Sequence, residues 1–143
     1  MPTAHDILRF KGRTVHSVRP TDSVLAALGV MADYDIGAVL VLDGGKLAGI
    51  LTERDYARKV ALAGRSSKDS PVSSIMTSSV VTVTPAHTVD DCMTLMTERR
   101  VRHLPVVDGG GRVVGVVSIG DLVKATIDEQ AFTINELRSY IAG

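Results

Sequence analysis

Slid along itself by 65 residues, the chain meets its own pattern. Pro20 falls on Pro85, Met31 on Met96, and Val15, Val18, Val24 and Val41 on Val80, Val83, Val89 and Val106. Asp43-Gly44 falls on Asp108-Gly109. One inserted residue then moves the offset to 66, and Gly49, Thr52 and Asp55 meet Gly115, Ser118 and Asp121. Valine-rich strands alone would align only apolar positions. They would not also align a proline, an Asp-Gly turn, a glycine and a hydroxyl–carboxylate pair, so the chain is a duplication. A copy of about 60 residues is marginal as an independent fold. The two copies are therefore expected to fold together around one shared core.

Each copy reads as β-α-β-β-α. An extended segment (15–18, 80–83) reaches the proline. Val24, Ala27, Leu28 and Met31, repeated as Val89, Cys92, Met93 and Met96, then have the i, i+3, i+4, i+7 spacing of an amphipathic helix. The apolar runs 38–42 and 104–107 suit strands buried on both faces. Asp43-Gly44-Gly45 and Asp108-Gly109-Gly110-Gly111 predict hairpin turns, with return strands over 47–51 and 113–117. A second helix starts at Thr52, carrying Tyr56, Val60 and Leu62, or at Ser118, carrying Leu122, Val123 and Ile127. The polar stretch Gly64–Pro71 reads as a linker. Short helices are expected near 6–10 and, with Ile134, Leu137 and Ile141 on one face, near 134–141.

Composition excludes several functions. Sixteen Lys and Arg balance sixteen Asp and Glu, and there are three Tyr, two Phe and no Trp. A nucleic-acid polymer binder is usually basic, and a single-strand binder stacks bases on aromatics, so neither is expected. A single cysteine, Cys92, allows no internal disulfide or Cys-rich zinc site and reads as a small hydrophobe on a buried helix face. His5, His16 and His87 lack metal-ligand spacing. No run approaches the ~20 apolar residues of a membrane span, and the N-terminus lacks a secretory pattern. A soluble cytoplasmic protein without a membrane partner is the expectation. No Gly-x-Gly-x-x-Gly or Walker A sequence occurs, so neither a Rossmann nor a P-loop site is expected.

The duplicated unit resembles a tandem pair of CBS domains, the arrangement called a Bateman module, over roughly residues 9–127. The resemblance rests on Pro20 and Pro85, on Arg102-His103-Leu104-Pro105-Val106-Val107-Asp108, and on the closing motifs Gly49-Ile50-Leu51-Thr52-Glu53-Arg54-Asp55 and Gly115-Val116-Val117-Ser118-Ile119-Gly120-Asp121. It implies an α/β (α+β) fold of two pseudo-twofold-related units, over 9–65 and 72–128, followed by a C-terminal helix over 129–143. The first copy departs from the pattern at Ile36-Gly37-Ala38-Val39-Leu40, where Gly37 and Ala38 supply no phosphate-binding charge. The two clefts should therefore differ in affinity, ligand or both.

Thr52-x-x-Asp55 and Ser118-x-x-Asp121 are first of all capping boxes, in which hydroxyl and carboxylate satisfy the opening amides of a helix. The same geometry suits a nucleotide, because a helix N-terminus favours phosphate and a carboxylate can accept from both ribose hydroxyls. The resemblance implies that such an Asp holds the ribose, and removal of Asp121 is expected to abolish a binding event. Arg99 and Arg100 read as a solvated helix end. By resemblance, Arg102 and His103, entering the strand of Leu104 and Pro105, face a phosphate, with His103 adding charge if its pKa is raised. The resemblance also places Thr14-Val15-His16 and Ser79-Val80-Val81 beside an adenine, although Val80 suits the core equally. It puts the matched Lys11 and Met76, together with Arg54 and Gly120, at the border of the ligand. Arg65, Ser66 and Lys68 of the linker could reach a polyphosphate, although a flexible connector explains them as well.

These residues imply a non-enzymatic sensor that needs no cofactor. Its ligand would be AMP first, with ADP, ATP, NAD(H) or S-adenosylmethionine as alternatives, and it would signal to an effector protein in trans. Exposed apolar helix faces imply a homodimer. The competing readings are an interaction scaffold with vestigial clefts and a nucleotide-directed enzyme. No nucleophile–base pair supports the enzyme.

Overall fold

A computed structural model describes residues 1–142. The elements run α1 (Ala4–Lys11), β1 (Ser17–Val18), α2 (Val24–Tyr34), β2 (Ala38–Asp43), β3 (Lys46–Thr52), α3 (Glu53–Tyr56), α4 (Val89–Arg99), β4 (His103–Val107), β5 (Val113–Ser118) and α5 (Ile119–Ala142). A π-helical turn, Ala57–Ala61, continues α3, and a 3-10 turn, Val72–Ser74, leads into the second repeat. The first repeat forms a sheet in the order β1-β2-β3, with β1 parallel and β3 antiparallel to β2. In the second repeat β4 pairs antiparallel with β5.

The duplication reaches into backbone irregularities. The β2–β3 register slips between Val41 and Leu42, and the β4–β5 register slips between the matched Val106 and Val107. α2 and α4 both end on a left-handed residue, Asp35 (φ 52°) and the matched Arg100 (φ 55°). A non-glycine residue in that conformation costs roughly 1 kcal/mol, so its recurrence marks an inherited helix end.

Four sequence-based expectations need correction. The segments 15–18 and 80–83 are extended but pair little: only Ser17 and Val18 form a strand, and only Val83 bridges to Val106. The helix expected near 134–141 is the end of α5, because 121–142 contains no glycine or proline to stop it. Leu62, placed on the second helix as an apolar residue, is exposed. The linker is tied down rather than free: Ser70 and Ser67 carbonyls accept from the Val24 and Leu25 amides (2.9 and 3.0 Å), capping α2.

A fifth correction concerns the core. There are two clusters, not one. Val18, Val24, Ala27, Met31, Val39, Val41, Leu51 and Val60 of the first repeat pack with Val72 and Ile75, which precede the second. Val83, Val89, Cys92, Met96, Leu104, Val106, Val117 and Leu122 of the second repeat pack with Ala4, Ile7 and Leu8 of α1, which precedes the first. Each repeat therefore completes its core with the other's leading segment. Backbone bonds fix the exchange. The Ala4 amide donates to His87 O and the Val89 amide to Pro2 O, while Thr77 and Ile50 exchange amide–carbonyl bonds. Both contacts are tight: a Cβ at Gly49 would lie 2.8 Å from the backbone oxygen of Thr77, and one at Gly115 2.6 Å from the Leu8 side-chain end, Cδ2.

Candidate functional site

The exchange opens a cleft of about 770 Å³ between the repeats. Its floor is the β3–α3 junction: Ile50, Thr52, Glu53, Arg54 and Asp55. One wall is the entering segment of the second repeat, Thr77 and Ser79–Val81. The opposite wall is the turn from α4 to β4, Arg100–His103, and Gly37 closes the rim. Three arginines and two acidic residues line the cleft together with Ile50, Val80, Val81 and Val101, so it combines apolar walls with cationic and anionic residues.

Asp55 is the most densely engaged group. Its carboxylate accepts from the Thr52 amide (3.1 Å) and from Thr77 Oγ1 (3.2 Å), and it pairs with Lys59 Nζ at 3.3 Å. Thr52 Oγ1 in turn accepts from the Asp55 amide at 3.1 Å. A carboxylate offers about four lone-pair sites, and the Thr52 hydroxyl, which also donates to Asp55 Oδ2 at 3.1 Å, takes the fourth. A ribose diol therefore enters by displacing existing partners, of which Thr77 Oγ1 and Lys59 lie outside the helix cap, and Lys59 has a second acceptor in Ile75 O at 3.0 Å.

Asp121, the matched carboxylate, is engaged differently. It accepts from the Ser118 amide (2.8 Å) and from Lys11 Nζ (2.7 Å). Partial burial raises its pKa. The Lys11 and Ser118 hydrogen bonds and the Lys11 charge outweigh that, and it ends below the ordinary carboxylate value. Lys11 and Asp121 lie in a second groove of about 530 Å³ between α1 and α5, with Ile7, Phe10 and Phe132 among its walls.

His103 corrects the sequence reading. Burial, and then the Lys11 charge, lower its pKa; Asp121 and Glu53 oppose them, and Arg102 adds to the lowering. At neutral pH it is an uncharged imidazole, able to hydrogen-bond to a phosphate but adding no charge to the site.

Of the residues singled out in the sequence, Gly37, Thr52, Arg54, Asp55, Ser79, Val81, Arg102 and His103 converge on the cleft. Leu104 and Pro105 are buried in β4 and do not line it. Met76 packs over Gly49, and His16 stacks on Tyr34 with ring centroids 3.9 Å apart. Ser118 and Gly120 open α5, Ala38 opens β2, and Thr14 is exposed; none of them lines this cleft. Arg65 is exposed and Ser66 accepts from the Ser70 amide, both outside the cleft.

Sequence reasoning missed Ile50, Glu53, Thr77, Val101 and Arg100 as cleft residues. Arg100 follows α4 as its left-handed cap, which turns the chain toward the cleft. Matching it to Asp35 would have marked it as a turn residue rather than a helix end. Thr77 had no such signal, because its counterpart is Gly12. Among the described residues no group of three or more His, Cys, Asp or Glu could hold a metal ion, and no helix is long and apolar enough to cross a membrane.

The CBS domain model matches residues 4–62 and again 72–128. The chain belongs to the CBS domain family and carries the domain as a tandem pair. A mitochondrial CBS domain-containing protein of Arabidopsis thaliana is 40% identical over 150 residues, covering 99% of this chain and 72% of that one. A putative signal-transduction protein with CBS domains from Burkholderia ambifaria is 53% identical with a TM-score of 0.85, covering 90% and 96%. A CBS domain pair solved in complex with 5-methylthioadenosine and S-adenosyl-L-methionine is 26% identical with a TM-score of 0.79, covering 90% and 98%.

Proposed function

We propose that this chain is a non-enzymatic, cytoplasmic sensor of an adenine nucleotide and binds it in the Asp55 cleft. The observation that carries this reading is the pairing, in one cleft, of a capped helix start bearing Asp55 with Arg54, Arg100 and Arg102. Phosphate would meet the arginines, which present planar forks to its oxygens. The base would lie against Val80 and Val81. The ribose diol would replace Thr77 Oγ1 on Asp55. AMP is the first choice, because one phosphate suits cations this close to the ribose carboxylate; ADP, ATP, NAD(H) and S-adenosylmethionine are the alternatives. The bound adenosyl compounds of a structural neighbour support this class of ligand. Binding shifts the module between conformations only to the extent that the ligand prefers one of them. An effector protein in trans would sense that shift. Nucleic-acid polymers and membranes are not partners in this reading.

Calorimetric titration with a nucleotide panel tests the proposal. Asp55→Asn keeps a side-chain acceptor for the helix cap but loses the charge, and Arg102→Ala removes one fork. Each is expected to weaken AMP binding at least about 10-fold, roughly 1.4 kcal/mol; Arg102→Ala should leave the melting temperature nearly unchanged, whereas Asp55→Asn should lower it through loss of the Lys59 pair. Unchanged affinity in both variants sinks the site. A specific observation favours the rival scaffold reading: both repeat carboxylates are already engaged, Asp55 by Thr77 and Lys59 and Asp121 by Lys11. If no nucleotide binds or raises the melting temperature, that reading takes its place.

A further inference from the structure

The two repeats satisfy the same two acceptors in different ways. In the first, Thr77 donates its amide to Ile50 O (2.9 Å) and its hydroxyl to Asp55 Oδ1 (3.2 Å). The counterparts of Ile50 and Asp55 in the second repeat are Val116 and Asp121. The counterpart of Thr77 is Gly12, which has no hydroxyl and whose amide instead closes α1 by donating to Leu8 O. Lys11 takes over both bonds: its ammonium donates to Val116 O at 2.8 Å and to Asp121 Oδ2 at 2.7 Å. A neutral hydroxyl at 3.2 Å can exchange for a ribose hydroxyl of the same chemistry. An ammonium held by a carboxylate and a carbonyl cannot exchange like for like.

The residues matched to the arginines differ as well. In the repeat alignment Gly120, Asp35 and Gly37 are the counterparts of Arg54, Arg100 and Arg102. A nucleotide there would have to break the Lys11 pair and would find none of these three cations in return.

We propose that Lys11 is the residue that decides between the clefts. It closes the Asp121 cleft and leaves one ligand site per chain, the arginine-lined one. This inference rests on the nucleotide reading of the Asp55 cleft. It also makes the leading helix the gate, since Lys11 is the last residue of α1. Opening the second cleft detaches that end of the helix from β5.

The test is calorimetric stoichiometry on the full chain with two probes, AMP and uncharged adenosine. Adenosine needs no arginines and so reports the opening of either cleft. Wild type is expected to bind one AMP and one adenosine. Lys11→Met, which installs the residue of the matched position Met76, is expected to bind two adenosines. Lys11→Arg retains a cation and is expected to stay at one. In Lys11→Met/Asp121→Asn the second event should disappear. A Lys11→Met variant that still binds one adenosine, beside a wild type that binds AMP, overturns the gate and leaves the nucleotide site standing. Loss of AMP from Lys11→Met overturns it too, because Lys11 would then be a ligand contact. Absence of AMP binding in wild type removes the nucleotide reading itself, and the inference with it.

Discussion

Hydroxyl–carboxylate pairs show what a residue pattern can and cannot say. Thr3 with Asp6, Thr52 with Asp55, Thr88 with Asp91, and Ser118 with Asp121 all form reciprocal caps at helix starts. The pattern therefore predicts a helix start reliably and a ligand poorly. Only Asp55 and Asp121 have further partners brought from the other repeat's leading segment, which no local spacing encodes. His103 makes a second residue-scale point, because its burial reverses the charge expected from a cationic cluster. The group folds neutral, with a pKa below the ordinary 6.5, while the unfolded chain protonates at the ordinary value. Below pH 6.5 the unfolded state therefore binds more protons, and stability is lost as pH falls from 6.5 toward the folded value. The groups facing His103 are Lys11, Asp121, Glu53 and Arg102. Asp6, Asp91 and Asp121 have lowered pKa values, so their contributions are lost only below 3.8 and do not overlap this window. The melting temperature is expected to fall between about pH 7.5 and 5.5, and His103→Gln should flatten that decline. An equally steep decline in the variant would assign the effect to another group.

At the scale of elements, the β-α-β-β-α order, the hairpins and the helix faces were legible because they rest on local periodicity and turn chemistry. The exchange of leading segments was not. α1 reads as a short helix in sequence, and nothing in Ala4, Ile7 or Leu8 states which repeat they will cover. The glycines held the clue: Gly49 and Gly115 align, and each lies under a residue that the repeat pattern alone would not bring there. Their substitution tests the packing. At Gly49→Ala the new methyl meets Thr77 O, a backbone atom that cannot rotate away, and Met76 Sδ at 2.7 Å. At Gly115→Ala it meets only the end of Leu8. Both should destabilise by about 1–3 kcal/mol, with Gly49→Ala the worse. Leu8→Ala alone opens a cavity in a buried site, at roughly 2–5 kcal/mol. In Gly115→Ala/Leu8→Ala the methyl occupies space the leucine left. The double variant should therefore lose less than the sum of the singles, by about 0.5–3 kcal/mol in urea denaturation. Strict additivity would mean that α1 is not seated on β5.

For the molecule as a whole, the cleft and the outer helix lead to different expectations. The cleft faces inward, between repeats that complete one another. α5 runs on for 14 residues beyond the matched domain, about 21 Å at 1.5 Å per residue, and every described residue from Ile127 onward is exposed. A helix this poorly covered is marginal in water unless its apolar face is packed. Val123, Ile127, Ile134, Leu137 and Ile141 follow one another at spacings of four, seven, three and four, a heptad seam turned away from the buried Leu122. Ile127, Ile134 and Ile141 then take the a positions, and Val123, Gln130 and Leu137 the d positions. Isoleucine at a with leucine at d favours two parallel strands, and Gln130 is the one polar residue among the six seam positions. In that parallel pairing the cationic e positions, Lys124 and Arg138, lie opposite the uncharged g positions Thr126, Thr133 and Tyr140, so no like charges meet. The homodimer expected from exposed apolar helices is therefore argued through α5, with a second copy as the occupant. Light scattering on the eluting protein should give a dimer for wild type at about 100 µM, a concentration that detects even a micromolar association. Ile134→Lys/Leu137→Lys should give a monomer. Both residues lie outside the two core clusters, so the variant should keep its fold and the proposed nucleotide cleft. A monomeric wild type, or a variant that remains dimeric, excludes the α5 seam as the contact.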